Sequence, residues 1–508
     1  MTNFISVYFF IFFIITLFLY FLFPIKYRWF LLLASSIFFY SSAGVDSLIF
    51  LGLAAITAYA IARNIEDVYS EQKNNKKTAK MLLVLGIGII LVMLLYAKIG
   101  SSITDAITNI FTLKQIGFRE IIPLGISYYT FSIIGYMLDV YWKKEKAEHN
   151  FFKFLLYMIY FPHIIQGPIP RYKRLAPQLI EGHKFSYKNL CYGLQRIIWG
   201  YFKKMVIADR FALLTHEVFN NYSQYEGFIF IVAAVCSSIE LYCDFSGCMD
   251  IVSGISEIIS IHLDENFRRP FYAKGAAEFW HRWHITLGSW FKDYVYMPLV
   301  SNRTLAKLCQ KSKKTIGNRF AKNLMTVFPL AVVWLLTGIW HGTGMNYVLW
   351  GCYWGSIIII SSVFAPEFKK LTNFLHINTN SKGYETFQII RTFLFYMGSR
   401  LLTAPHDLNS SFEIIQRIFK NFNIWIFFDE TLYEIGLDRK DFWIGLFAVL
   451  ILWKVNSLEE KGIKVRDKIS SFPLILRWCI YYSLIISIII FGIYGSGQSG
   501  NTFIYMNY

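Results

Sequence analysis

The chain has 508 residues, 55% hydrophobic and 19% aromatic but only 16% charged, whereas roughly a quarter of an average soluble domain is charged. That balance excludes an ordinary soluble enzyme. The net charge of +17 does not signal a nucleic-acid partner, because the basic residues sit in short loops between apolar runs, where they set topology. Apolar stretches of about 16–24 residues recur from end to end, near the ~20 a helix needs to cross a bilayer, and none alternates every second residue like a barrel strand. The expected fold is all-α, a polytopic integral-membrane bundle of roughly 11–14 membrane helices including re-entrant ones, with residues 1–508 as one unit.

In chain order, the first run, FISVYFFIFFIITLFLYFLF (4–23), lacks the basic flank and small-residue cleavage site of a secretory signal and is read as a retained span. Further spans are predicted at 29–43, 47–62, 81–97, 121–141, 151–166, 190–208, 226–243, 276–298, 324–344, 347–364, 387–404, 441–456 and 474–494. Between 167 and 188 the chain is polar and proline-bearing, and 246–274 is mixed. Neither stretch can face lipid, so each lies outside the bilayer or is buried in protein. Seven cysteines, with no CxxC pair, read as small buried side chains and not as a disulfide framework.

Lysine and arginine orient the bundle. Arg63, Lys73, Lys76, Lys77 and Lys80, then Lys143, Lys144, Lys146 and Lys153, place two loops in the cytoplasm and the N-terminus outside. The 301–323 segment carries Arg303, Lys307, Lys311, Lys313, Lys314, Arg319 and Lys322 with no acid, a third cytoplasmic loop. Counting onward places the acidic 405–440 segment outside, and with it the C-terminal tail from residue 495.

An ionisable side chain in a spanning region is costly and marks a candidate site. Glu278, His281, Arg282, His284, Lys292 and Asp293 come from 276–298; His341 and Asn346 from LTGIWHGTGMNYVLWG; Glu240, Asp244 and Asp250 from IELYCDFSGCMDIVSG; His163, Gln166 and Arg171 from YFPHIIQGPIPRY. His341 ends an apolar run and precedes Gly342 and Gly344, which permit close backbone approach. It reads either as a packing histidine bonded to a neighbouring helix or as a neutral imidazole able to take a hydroxyl proton. On one helix His281 and His284 would share a face, but no HExxH or third ligand accompanies them, so no metal is expected. Arg282, Lys292 and Asp293 read either as site residues or as a seam of mutual pairs. Neither a GxSxG elbow, a P-loop nor a dinucleotide fingerprint is present.

Five blocks resemble the membrane-bound O-acyltransferase family, and within it the bacterial alginate O-acetylation branch, related to teichoic-acid and peptidoglycan enzymes. They are PLGISYYTFSIIGYMLDVYW (123–142), YFPHIIQGPIPRY (160–172), YCDFSGCMDIVSGIS (242–256), NFRRPFYAKGAAEFWHRWHITLGSWFKDYVYMPL (266–299) and LTGIWHGTGMNYVLWG (336–351). The resemblance implies a bundle with a central tunnel or funnel in a bacterial cell membrane, and an O-acyltransferase activity. His341 and His284 fall on the family's two histidine motifs, which implies catalytic roles, His341 as base on the acceptor hydroxyl and His284 orienting or polarising the thioester or assisting the leaving thiolate; His281 falls on a variable position. Trp283, Arg282, Asp293, Trp340, Asn346 and Asp244 become tunnel or supporting residues.

Thr286, Gly288 and Lys292 depart from the family pattern, where Ser, Ser and Arg are usual. The implied donor is acetyl-CoA or an acyl-carrier-protein thioester on the cytosolic side, with no bound cofactor. The implied acceptor is an extracytoplasmic or cell-wall polysaccharide, alginate-type or peptidoglycan, reached through an SGNH-hydrolase-like partner. D-alanyl transfer to teichoic acid is the alternative within the family, and a transporter or flippase the alternative outside it.

The last residues, FIYMNY (503–508), follow a glycine/serine hinge, GSGQSGN. They read as an interfacial aromatic end or, by resemblance to a carboxy-terminal motif of this family, as an acyl relay through the Tyr505 phenol.

Overall fold

In hydrocarbon a backbone N–H or C=O finds no water, so a long apolar run folds into a helix that satisfies its own polar groups. The computed structural model describes residues 3–70, 75–111, 123–315, 317–494 and 503. Among them the regular elements are helices, with β pairing confined to the isolated bridge between Phe267 and Trp283. Seven of the described helices are long and apolar enough to cross a membrane: Asp46–Ser70, Lys76–Ile99, Ile229–Ile258, Asn323–His341, Met345–Val363, Arg439–Glu460 and Leu474–Phe491. The protein is a multi-pass helical membrane protein.

Several predicted spans are shorter or broken. The 121–141 span begins as a helix only at Ile126, after a left-handed Gly125 where a Cβ would lie 2.0 Å from the Ile164 carbonyl oxygen. The 151–166 span is helical only over Phe151–Ile159, because Pro162 cannot continue a helix. Residues 160–170 then run as a fully buried turn and coil, with Gln166 and His163 inside. Of the polar 167–188 stretch, residues 167–170 are buried in protein, whereas 171–188 are mostly half-buried or exposed and include the helix Tyr172–Glu181.

The chain divides into two compact units. The first comprises Met1–Ile197 and Met249–Asp264. Its core holds interlocked rings of Phe4, Phe9, Phe12, Phe39 and Phe161. The buried Arg28 gives its guanidinium protons to the carbonyls of Phe21, Phe23 and His183, which satisfies a cation that apolar packing alone could not hold.

The second unit comprises Ile198–Cys248 and Glu265–Ile504. Here the predicted span 190–208 changes winding: Tyr187–Tyr201 is α-helical and Phe202–Ala208 is a π-helix. The wider turn presents Lys203 to Ser246 Oγ at 2.8 Å, and Lys204 to Asp209 and Asp244, each at 2.7 Å. With its carboxylate paired, Asp244 does not end the predicted span at 243, and the helix continues to Ile258. The basic 301–323 segment contains a 13-residue helix, Arg303–Thr315, with Leu305 and Cys309 buried and its bases exposed. Of the seven cysteines, four are buried, while Cys352 and Cys479 are exposed on apolar helices, contrary to the expectation for all of them.

Candidate active site

Glycines shape the hairpin that carries His341. The helix Asn318–His341 stops at Gly342, and Met345–Val363 returns beside it. A Cβ on Gly338 would lie 2.6 Å from the Tyr347 carbonyl oxygen, and one on Gly351 would lie 2.5 Å from that of Trp334. The two backbones therefore touch, as small residues allow in membranes. Gly351→Ala is expected to force the hairpin apart and cut the yield of monodisperse protein in detergent. Gly383→Ala, where a Cβ meets nothing within 4 Å, is expected to leave the yield unchanged.

His341 is 8% exposed and its ring lies 4.7 Å from both Trp340 and Trp350, centroid to centroid. Its Nδ1 is 2.7 Å from the carbonyl oxygen of Thr337, one turn back. A carbonyl oxygen only accepts, so Nδ1 carries the proton and donates it. The neutral ring then has its lone pair on Nε2, the arrangement a general base requires.

The predicted single helix over 276–298 is not found, and the shared face of His281 and His284 goes with it. The helix Ala276–Arg282 ends, Trp283 is extended, His284 is left-handed (φ 47°, ψ 51°), and a new helix spans Ile285–Phe291. Long-range pairing is the cause: Arg268 N–H donates to the Arg282 carbonyl at 2.8 Å, and Ile285 N–H to the Asn266 carbonyl at 3.0 Å. A left-handed non-glycine residue costs roughly 1–2 kcal/mol, and such strain collects where the surroundings over-determine it. The break buries His284 to 2% exposure and leaves His281 exposed. Phe245 packs edge-on against His284 at 4.9 Å.

The structure brings His284, Trp340 and His341 together: the Trp340 ring is 6.0 Å from His284 and 4.7 Å from His341. Trp283 joins an aromatic wall with Phe267, Phe279 and Tyr396. Asn346 is buried in the first turn of the returning helix.

Other expected site residues lie elsewhere. Arg282 does not form a seam with Lys292 and Asp293. It bonds Glu278 at 2.7 Å and Glu460 at 2.9 Å, and Arg269 shares Glu460, which ties the histidine loop to the end of Arg439–Glu460. Asp293 and Lys292 are exposed on a π-helical turn. Asp244 serves the Lys204 cluster. Tyr505 lies outside the described residues.

Sequence reasoning missed Asn266, whose side chain meets both His284 and Thr286, and missed Lys204 with Asp209. Lys203 and Lys204 stand inside a predicted span, so the rule that singled out Asp244 would have found them. Asn266 carries no such mark.

A family model described as "MBOAT, membrane-bound O-acyltransferase family" matches residues 142–401. The chain is 29% identical to the "Probable alginate O-acetylase AlgI" of Pseudomonas aeruginosa, covering 83% of this chain and 75% of that protein. It is 28% identical to a "Peptidoglycan O-acetyltransferase" of Helicobacter pylori, covering 67% and 65%. It is 31% identical to a "Teichoic acid D-alanyltransferase" of Bacillus subtilis, covering 49% and 60%.

Proposed function

This chain belongs to the membrane-bound O-acyltransferase family and is an acyltransferase, and on that premise we propose that it carries acetyl groups across a bacterial cell membrane to an extracytoplasmic or cell-wall polysaccharide. The donor is a cytosolic thioester, acetyl-CoA or a loaded carrier protein. The observation that carries this reading is the Nδ1–H of His341 on the Thr337 carbonyl, which leaves Nε2 as a buried base. A hydroxyl becomes a competent nucleophile when His341 Nε2 takes its proton; its oxygen attacks the thioester carbonyl, the C–S bond breaks, and the thiolate recovers the proton from the imidazolium. The apolar rings around His341 keep out water, a competing acceptor.

Acetyl is favoured over D-alanyl because the likeness to the alginate protein extends over 83% of this chain and that to the D-alanyltransferase over 49%. In this reading the basic 301–323 segment faces the cytosol, 405–440 and both termini face out, and an SGNH-hydrolase-like protein outside completes transfer. The test is sided: inverted vesicles given radiolabelled acetyl thioester label an acceptor in their lumen, and right-side-out vesicles do not. Equal labelling from both sides would overturn it.

The tail enters as a relay. Phe503 is fully buried, its ring 5.0 Å from the Lys204 ammonium. Two residues on, the Tyr505 phenol would give its proton to His341 and take the acetyl as an aryl ester, activated for handing on to a sugar hydroxyl. Tyr505→Phe is expected to stop polymer acetylation at normal expression, and Tyr508→Phe to act mildly. Intact-mass analysis with donor and no partner should find one acetyl adduct on the wild type and none on Tyr505→Phe; full activity of that variant would remove the relay.

A further inference from the structure

We propose that Asn266 is a positioning residue that fixes His284 in its Nδ1–H form, so that His284 presents a lone pair at Nε2 and holds an N–H or O–H of the substrate, not the thioester carbonyl. This rests on the acyltransferase reading and goes beyond it by assigning what His284 can recognise.

The Thr286 backbone N–H is an unambiguous donor in this cluster. Thr286 N–H lies 3.0 Å from the terminal oxygen of Asn266. A backbone N–H only donates, so the amide atom facing it is the oxygen and not the nitrogen. That same oxygen lies 2.9 Å from Thr286 Oγ1 and 3.2 Å from His284 Nδ1. Since it only accepts, His284 Nδ1 must carry the proton, and the neutral ring has its lone pair at Nε2.

The backbone repeats the lock, because the Asn266 carbonyl accepts Ile285 N–H at 3.0 Å. Asn266 thus grips the two residues that follow the left-handed His284 and the ring itself. Asn266, Thr286 and His284 are 2%, 4% and 2% exposed, so water does not compete for these bonds.

The consequence is chemical. His341, by its bond to Thr337, also offers Nε2 as an acceptor. An attacking hydroxyl has one proton, and it cannot serve both rings. The hydroxyl proton goes to His341. His284 takes a hydrogen bond from a second donor, either an amide N–H on the arm of the thioester or a neighbouring hydroxyl of the acceptor. A thioester carbonyl offers no proton, so polarising it falls to another group.

The experiment uses the full chain labelled with 15N-histidine in lipid, with His284 assigned by difference against His284→Gln. The expected wild-type spectrum has His284 protonated at Nδ1 and bare at Nε2; a ring protonated at Nε2 overturns the proposal without any Asn266 variant having to fold, and leaves His341-dependent transfer untouched as a separate question. Asn266→Ala should populate the Nε2–H form and lower kcat/KM by about 10- to 100-fold, the range typical when a partner that orients a functional histidine is lost. Thr286→Val, which keeps the backbone donor, should preserve the tautomer. A rise in KM for the thioester assigns the contact to the donor arm, and a rise in KM for the polysaccharide assigns it to a hydroxyl. Unchanged kinetics with an unchanged tautomer in Asn266→Ala would refute the role.

Discussion

His341→Ala is expected to lower kcat for acyl transfer by about 10²–10⁴-fold, the usual contribution of a positioned general base, while the protein still folds and inserts. The imidazole donates Nδ1–H to the Thr337 carbonyl, and that carbonyl keeps a second lone pair when the bond is lost. The packing loss is a partly filled space between Trp340 and Trp350, which costs stability but does not touch the chemistry at other residues. The check is steady-state transfer at matched expression and matched elution volume. His281→Gln, at an exposed position on the preceding helix, should behave as wild type. A large loss at His281 would mean that the broken helix places the histidines wrongly.

Lys204→Met is expected to act on folding instead, destabilising by about 3–5 kcal/mol, as removing one member of a buried ion pair does. The Lys204 side chain is 2% exposed and holds Asp209 and Asp244, whose side chains are 4% and 1% exposed. Without the ammonium, two carboxylates face each other away from water. Lys203→Met gives up a hydrogen bond to the neutral Ser246 Oγ and is expected to cost less. Converting both acids to Asn in the Lys204→Met background should recover much of the loss, because neutral amides tolerate burial better than unpaired charge. Thermal unfolding in detergent, followed by a thiol-independent probe, measures all four proteins. Equal stability of Lys204→Met and wild type would show that the cluster is not the support the geometry makes it.

How much was legible in the sequence depended on the range of the interaction involved. Met345–Val363 and Arg439–Glu460 were readable within a few residues as apolar runs, since a membrane helix satisfies its backbone locally. His341 was readable for the same reason: an ionisable group closing an apolar run, with glycines after it. The break between Arg282 and Ile285 was not, because it is imposed by hydrogen bonds from residues 266–268, and no periodicity within 276–298 records a partner so far upstream. Asn266 was invisible on the same ground. An asparagine before an aromatic and two arginines means little until the fold sets it beside His284. Lys204 was a different failure, a charged residue passed over inside a hydrophobic run although its buried acids also lay in or beside apolar sequence.

Both imidazoles therefore derive their expected roles from what fixes their Nδ1 protons, Thr337 in one case and Asn266 in the other, with His341 Nε2 as the base. Chemical rescue tests it most directly. Purified His341→Ala in liposomes, supplied with acetyl thioester and a hydroxyl acceptor, should be inactive alone and should regain transfer in proportion to added imidazole, more at a pH where imidazole is neutral than where it is protonated. Full transfer by His341→Ala without imidazole would contradict the account.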